Sequence, residues 1–183
     1  MSESVDFLIV GGGIAGHLLQ AELETKGKST ILIDNPNSNR SSSVAAGIVN
    51  PVTGKFYSLT WRADEIFPDL EQYYKKWENY LDITLFKAKP ILRLFSSAGE
   101  QNTWLAKSKR AKYKPYCTFH NTSIAGFNNN YGVLEINRGG RLILNNLIEG
   151  CKARYKNRNA QFDHNKLDPT EKVYMDIRYN NFF

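Results

Sequence analysis

The chain has 183 residues, of which 42% are hydrophobic and 23% charged, the balance of a folded, water-soluble protein of about one domain rather than of a disordered, collagen-like or fibrous chain. No apolar run approaches the roughly 18–20 residues that span a bilayer, and the apolar start at residues 5–10 is too short for the core of a secretory leader; the expected location is the cytoplasm, with no membrane partner. The net charge of +6 is uneven: residues 1–62 hold five Lys/Arg and five Asp/Glu, so all of the excess lies downstream.

The run Val5, Asp6, Phe7, Leu8, Ile9, Val10 is nearly continuous in apolar character, as a central parallel strand covered on both faces requires. Glycine then stops it. Ile14, Leu18, Leu19 and Leu23 recur at helical spacing, and Gly27 after Lys26 reads as a C-terminal cap. Residues 29–33, β-branched and apolar, predict a second strand ending at Asp34. Strand, glycine turn, helix and strand together make a βαβ unit.

Residues 35–43 predict a polar loop, and residues 44–51 a small-residue segment. Leu70, Tyr73, Tyr74, Trp77 and Leu81 form an aromatic stripe on a helix over residues 67–81, whose ordinary role is to pack a core. Residues 89–96 predict a strand and 98–107 a short helix. Gly139 and Gly140 open a further helical pattern that carries Leu144, Leu147, Ile148, Cys151 and Tyr155 and is expected against the first sheet. Residues 172–183 read as strand, with Val173, Met175 and Ile177 alternating against polar neighbours. The expected architecture is α/β, a Rossmann-like βαβ part over residues 1–62, an inserted α+β region over 63–136 with its own small sheet, and a return to the first part over 137–183.

The chemistry is concentrated at the first turn. Gly11-Gly12-Gly13-Ile14-Ala15-Gly16 satisfies G-x-G-x-x-G directly between a strand and a helix, and Asp34 lies 18 residues beyond Gly16 at the end of the next strand. In that context Gly11 permits a tight turn, Gly13 lets backbone approach a pyrophosphate, and Gly16 allows close packing of helix on strand. Phosphates would sit at the positive helix end. The Asp34 carboxylate can accept from both ribose hydroxyls and repels a 2′-phosphate, which disfavours NADP relative to NAD or FAD.

With this fingerprint, the stretch Ser41-Ser42-Ser43-Val44-Ala45-Ala46-Gly47-Ile48-Val49-Asn50-Pro51 resembles the FAD-dependent oxidoreductases of the D-amino-acid oxidase and glycine oxidase family. The resemblance implies FAD as cofactor and an inserted substrate or cap region. It also implies oxidation of a C–N bond of a small amino acid or amine to an imine, with the flavin as hydride acceptor. Carried over by position, Ile14 and Ala15 would contact the pyrophosphate, Asp34 and Asn35 the adenosine side, Ser42 and Ser43 the phosphates, and Ala46, Gly47 and Ile48 would edge the flavin. Members of that family continue, past the point where this chain ends, into a further strand, the rest of the substrate domain and a C-terminal flavin-binding segment. The resemblance therefore implies a truncated or partly inactive form, with a non-catalytic nucleotide-binding remnant as the alternative, and an uncovered sheet edge that lowers solubility. The catalytic residues are not identified.

Cys117 and Cys151 lack C-x-x-C spacing, and His120 and His164 have no ligand cluster around them, so neither a disulfide framework nor a metal site is expected. His17 reads as a helix residue packed on a neighbour or facing solvent. Residues 107–116 are the densest basic stretch, with Lys107, Lys109, Arg110, Lys112 and Lys114 around Tyr113 and Tyr116. A solvated loop is its ordinary role; phosphate contacts and base stacking, and so a transfer-RNA substrate for a flavoenzyme of this type, are the alternative.

Overall fold

A computed structural model describes residues 4–35, 41–122, 124–127, 129–156, 159–161, 167–168, 173–174 and 177–182. In chain order its elements begin with β1 (Ser4–Val10), α1 (Ile14–Thr25), β2 (Thr30–Asp34), α2 (Ser41–Val44), β3 (Ile48–Val49), β4 (Val52–Thr53) and β5 (Ser58–Leu59). There follow α3 (Ala63–Ile66), α4 (Leu70–Leu81), β6 (Phe86–Ala88), β7 (Ile91–Leu94), α5 (Ala98–Ser108), β8 (Cys117–His120) and β9 (Val133–Ile136). The last are β10 (Gly140–Leu142), α6 (Leu144–Arg154), β11 (Asn159–Gln161), β12 (Leu167–Asp168), β13 (Val173–Tyr174) and β14 (Ile177–Phe182). They form two compact units, Met1–Ala45 with Asn79–Thr84 and Leu144–Phe183, and Ala46–Glu78 with Leu85–Ile143.

The first unit is built on a six-stranded sheet in the order β11, β2, β1, β14, β13, β12, in which the first four strands run parallel and β13 pairs antiparallel with β14 on one side and β12 on the other. β1 has a parallel neighbour on each side, which accounts for its unbroken apolar character: Val5, Leu8 and Ile9 are buried, as are Ile31, Leu32 and Ile33 of β2. Two polar side chains within these strands are satisfied locally. Asp6 accepts from the Ser29 backbone N–H and hydroxyl, and Glu24 accepts from the Thr30 N–H and hydroxyl at 3.0 and 2.6 Å. α1 ends as its sequence predicts: Gly27 takes φ +73°, its N–H bonds Glu24 O, and the Lys28 N–H bonds Leu23 O, the paired bonds of a Schellman cap.

Three elements differ from the sequence reading. Ser41–Val44 forms a helical turn rather than continuing the polar loop; residues 36–40 lie outside those described. Gly139 and Gly140 do not open the last helix, because β10 intervenes and α6 begins at Leu144. A Cβ on Gly140 would stand 2.4 Å from Lys87 O, so glycine is needed there for strand pairing. Lastly, the single strand expected over 172–183 is two antiparallel strands, β13 and β14, with Tyr174 opposite Ile177; Met175 of the expected alternation lies outside the described residues. The reversal resets the alternation, and Tyr174 and Tyr179 are the buried side chains, packed with Val5, Leu8, Ile31 and Ile33. α6 packs on α1, where Cys151 Sγ approaches His17 O at 3.9 Å and both residues are buried.

The second unit holds three small antiparallel sheets, β3-β10-β6, β4-β5 and β7-β9-β8. Its core is aromatic, with Tyr57, Trp77, Phe95, Trp104 and Tyr116 buried. The stripe holds in part on α4, which begins at Leu70: Leu70, Tyr74 and Trp77 face inward and Tyr74 stacks on Phe86 at 4.9 Å, whereas Tyr73 is exposed and Leu81 only half-buried. α5 starts at Ser97, whose hydroxyl accepts the Glu100 N–H, while Glu100 reaches back to the Ser96 N–H, a near relative of the capping box. Residues 46–62 and 137–143 belong to this unit through their strand pairing, and residues 79–84 to the first, where the Tyr155 hydroxyl donates to that of Tyr80.

Candidate functional site

The glycine turn joins the C-terminal end of β1 to the start of α1. Gly11 has φ +104°, a conformation that L side chains rarely adopt, and its N–H bonds Ile33 O at 2.8 Å, tying the turn to β2. A Cβ on Gly16 would lie 2.0 Å from Gly11 O, so α1 can approach the turn only with glycine there. Gly13 is the N-cap residue and offers no side-chain oxygen of its own. The acceptor comes from α2 instead: the Ile14 N–H donates to Ser42 Oγ at 3.3 Å. A hydroxyl oxygen thus stands at the helix N-terminus, where free N–H groups and the helix dipole favour an anionic oxygen.

Asp34 lies at the end of β2, and a Cβ built on Gly12 would fall 2.4 Å from its Oδ2. The carboxylate therefore lies over the glycine turn. Gly11, Gly13, Ile14, Gly16, Asp34 and Ser42 are brought together in the first unit, with Ala15 and Asn35 exposed beside them. The side chain of Ser43 lies outside the described residues. Ala46, Gly47 and Ile48 belong to the second unit. Gly47 has its own local reason to be glycine: φ +71°, and a Cβ would stand 2.0 Å from Leu142 O. Ala46 and Ile48 are exposed.

Two features of the turn escape a sequence reading. The middle glycine, Gly12, lies against the Asp34 carboxylate, and Ser42 caps a helix 28 residues away from it in sequence. A G-G-G run in place of a minimal G-x-G is the one sequence signal of the former; the latter has none, because a tertiary cap leaves no spacing rule.

These donors and acceptors suit a dinucleotide pyrophosphate; comparisons with known proteins bear on the fold. No family model matches the chain. L-amino acid deaminase from Proteus vulgaris matches with a TM-score of 0.69 at 13% identity, over 100% of this chain and 47% of that one. Glycine oxidase from Geobacillus kaustophilus matches with a TM-score of 0.67 at 14% identity, over 88% and 47%. An FAD-dependent oxidoreductase from Pseudomonas aeruginosa matches with a TM-score of 0.57 at 17% identity, over 99% and 46%. The fold is that of glycine oxidase and L-amino acid deaminase. The resemblance to this group read from the glycine turn and the Ser-rich stretch holds at the level of the fold, and the chain spans about half the length of these proteins.

Outside the turn, a cavity of about 330 Å³ in the second unit is lined by Glu71, Gln72, Lys75, Glu78, Phe86 and Ala88. Among the described residues no group of three or more His, Cys, Asp or Glu is placed to hold a metal ion, and no helix is long and apolar enough to cross a membrane. Burial pushes the Cys117 thiol up to about 12 and that of Cys151 to about 11. The basic stretch corrects one expectation: Tyr113 and Tyr116 are buried, and their hydroxyls bond Tyr57 O and Asp64 Oδ1. Neither ring is available to stack on a base.

Proposed function

We propose that the first unit, a Rossmann-like domain, binds FAD, and that the chain is part of an oxidoreductase taking the C–N bond of an amino acid or amine to an imine, with the second unit as its substrate-facing insert. The observation that carries this reading is the glycine turn with Ser42 Oγ already accepting the Ile14 N–H. A hydroxyl oxygen there occupies the place a phosphate oxygen would take. The fold shared with glycine oxidase and L-amino acid deaminase supports the substrate class.

In this reading Gly13 lets the pyrophosphate approach, with Gly11 making the tight turn and Gly16 the close packing of α1; the Ile14 N–H exchanges Ser42 Oγ for a phosphate oxygen, the Ala15 N–H and the Ser42 and Ser43 hydroxyls donate beside it, and Asp34 and Asn35 take the adenosine ribose. Bound FAD supplies the acceptor for the electron pair of the C–N bond. The chain's own part is to fix the cofactor's phosphates and ribose. The free thiols Cys117 and Cys151 fit a reducing, cytoplasmic setting.

The test is an absorbance and fluorescence titration of the purified chain with FAD, with NAD as competitor. A saturable shift in the flavin spectrum that NAD does not reverse, and that weakens about tenfold or more in Asp34→Ala, is the expected result. No flavin perturbation, or full displacement by NAD, overturns the reading.

A further inference from the structure

We propose that the basic strip of the second unit is a docking surface for the phosphate backbone of single-stranded RNA. The excess charge of the chain resides entirely on that unit: it holds fourteen Lys/Arg against seven Asp/Glu, whereas the first unit holds ten against eleven. Within the second unit the imbalance is sharpest between Glu100 and Glu135, where residues 101–134 contain five cations and no carboxylate.

The strip is held in place from beneath. A single 3-10 turn spans Ala111–Tyr113, and the buried Tyr113 and Tyr116 fasten it to the core through Tyr57 O and Asp64 Oδ1. The residues around the anchors are exposed: Lys109, Arg110 and Lys112 before Tyr113 and Lys114 after it, and among the described residues none has a carboxylate within 4.0 Å. The nearby carboxylates are engaged elsewhere, Glu65 with Arg62, Glu100 with Arg93, and Asp64 with the Tyr116 hydroxyl. Arg138 extends the cationic face, its guanidinium 5.9 Å from the Tyr116 ring centroid.

Exposed aromatic rings adjoin the strip and favour nucleic acid over a merely acidic protein. The Lys107 ammonium donates to Phe56 O, which sets the exposed Phe56 beside the start of the strip, and the exposed Trp61 is three residues from Asp64 at its far end. Closely spaced cations flanked by accessible rings are what a single strand recognises, charges for phosphates and rings for unstacked bases. This surface does not depend on the flavin reading, since it involves no residue of the glycine turn.

The experiment is fluorescence anisotropy with a labelled 20-nucleotide oligouridylate, run from 50 to 200 mM salt on the whole chain. Four to five phosphate contacts give a slope of log K against log salt of roughly −3 to −3.5, at about −0.7 per contact. The variant Lys109→Gln/Arg110→Gln/Lys112→Gln/Lys114→Gln is expected to lose at least tenfold in affinity and most of that slope. Lys107 is left in place because it bonds Phe56 O, and an unchanged thermal midpoint shows that the variant folds. Trp61→Ala is expected to weaken binding without changing the slope. An unchanged affinity in the quadruple variant, a slope near zero, or binding to anionic phosphatidylserine vesicles with none to the oligonucleotide overturns the proposal.

Discussion

Gly12 and Gly16 show how differently one residue type can be constrained. Gly16 faces backbone: its missing Cβ would meet Gly11 O at 2.0 Å, and neither atom can move without shifting helix or strand. Gly12 faces the end of a rotatable side chain, the Asp34 carboxylate at 2.4 Å. The two substitutions should therefore separate. Gly16→Ala is expected to cost about 1–3 kcal/mol or more of stability, as overpacking does, seen as a lower urea midpoint. Gly12→Ala should leave that midpoint nearly unchanged and weaken nucleotide binding by roughly tenfold, about 1.4 kcal/mol, because Asp34 must swing away from its place. Equal midpoints for both variants would contradict this assignment of the contacts.

At the level of the element, a short loop is closed by one carboxylate. Glu78, in the last turn of α4, accepts the backbone N–H groups of Leu85 at 2.8 Å and Phe86 at 3.1 Å, and so starts β6. These bonds, the Leu85 one foremost, hold its carboxyl below the ordinary range. A depressed carboxyl pKa stabilises the fold above the unfolded value and ceases to do so as pH falls through the folded value. Unfolding followed by Trp77 and Trp104 fluorescence should accordingly steepen below about pH 4.5. Glu78→Ala should remove that part of the acid sensitivity along with about 1–3 kcal/mol at neutral pH, and Glu78→Gln, which keeps an acceptor, should lose less.

The same scale shows what the sequence made legible. β1, α1 and β2 were readable because local rules dictate them: a continuous apolar run, a helical repeat and a capped end. The α4 stripe and the span of α5 were readable for the same reason, whereas the Ser97 cap of α5 was not read. β10 was not, since three residues beginning with glycine carry no period, and their pairing with β3 and β6 is a long-range event. Nor was the place of β14 beside β1, which no pattern within residues 177–182 announces. For the candidate site, the glycine spacing and Asp34 were visible in the sequence, whereas the Ser42 cap and the contact of Asp34 with Gly12 exist only in three dimensions.

Across the whole molecule, burial sets the alkaline limit. Desolvation raises the Cys117 thiol to about 12 and the Cys151 thiol to about 11 from an ordinary 9.0. Desolvation also lifts Tyr57, Tyr74 and Tyr155, and raises Tyr116 to about 12. A raised folded-state pKa means that the unfolded chain gives up its proton first, so the stability is complete below about pH 9 and declines as pH rises from there. The thermal midpoint should be level from about pH 7 to 8.5 and fall beyond 9, and a flat profile to pH 11 would show these groups to be hydrated. The order of the strands has a consequence for synthesis. Ser4 pairs with Arg178, 174 residues later, while the second unit is complete within residues 46–143. At roughly 5–20 residues per second on the ribosome, β1 waits about 9–35 s for its second neighbour. The insert can fold during that interval, and the first strand made becomes the last one covered, a nascent chain with one open edge in need of a chaperone's shelter.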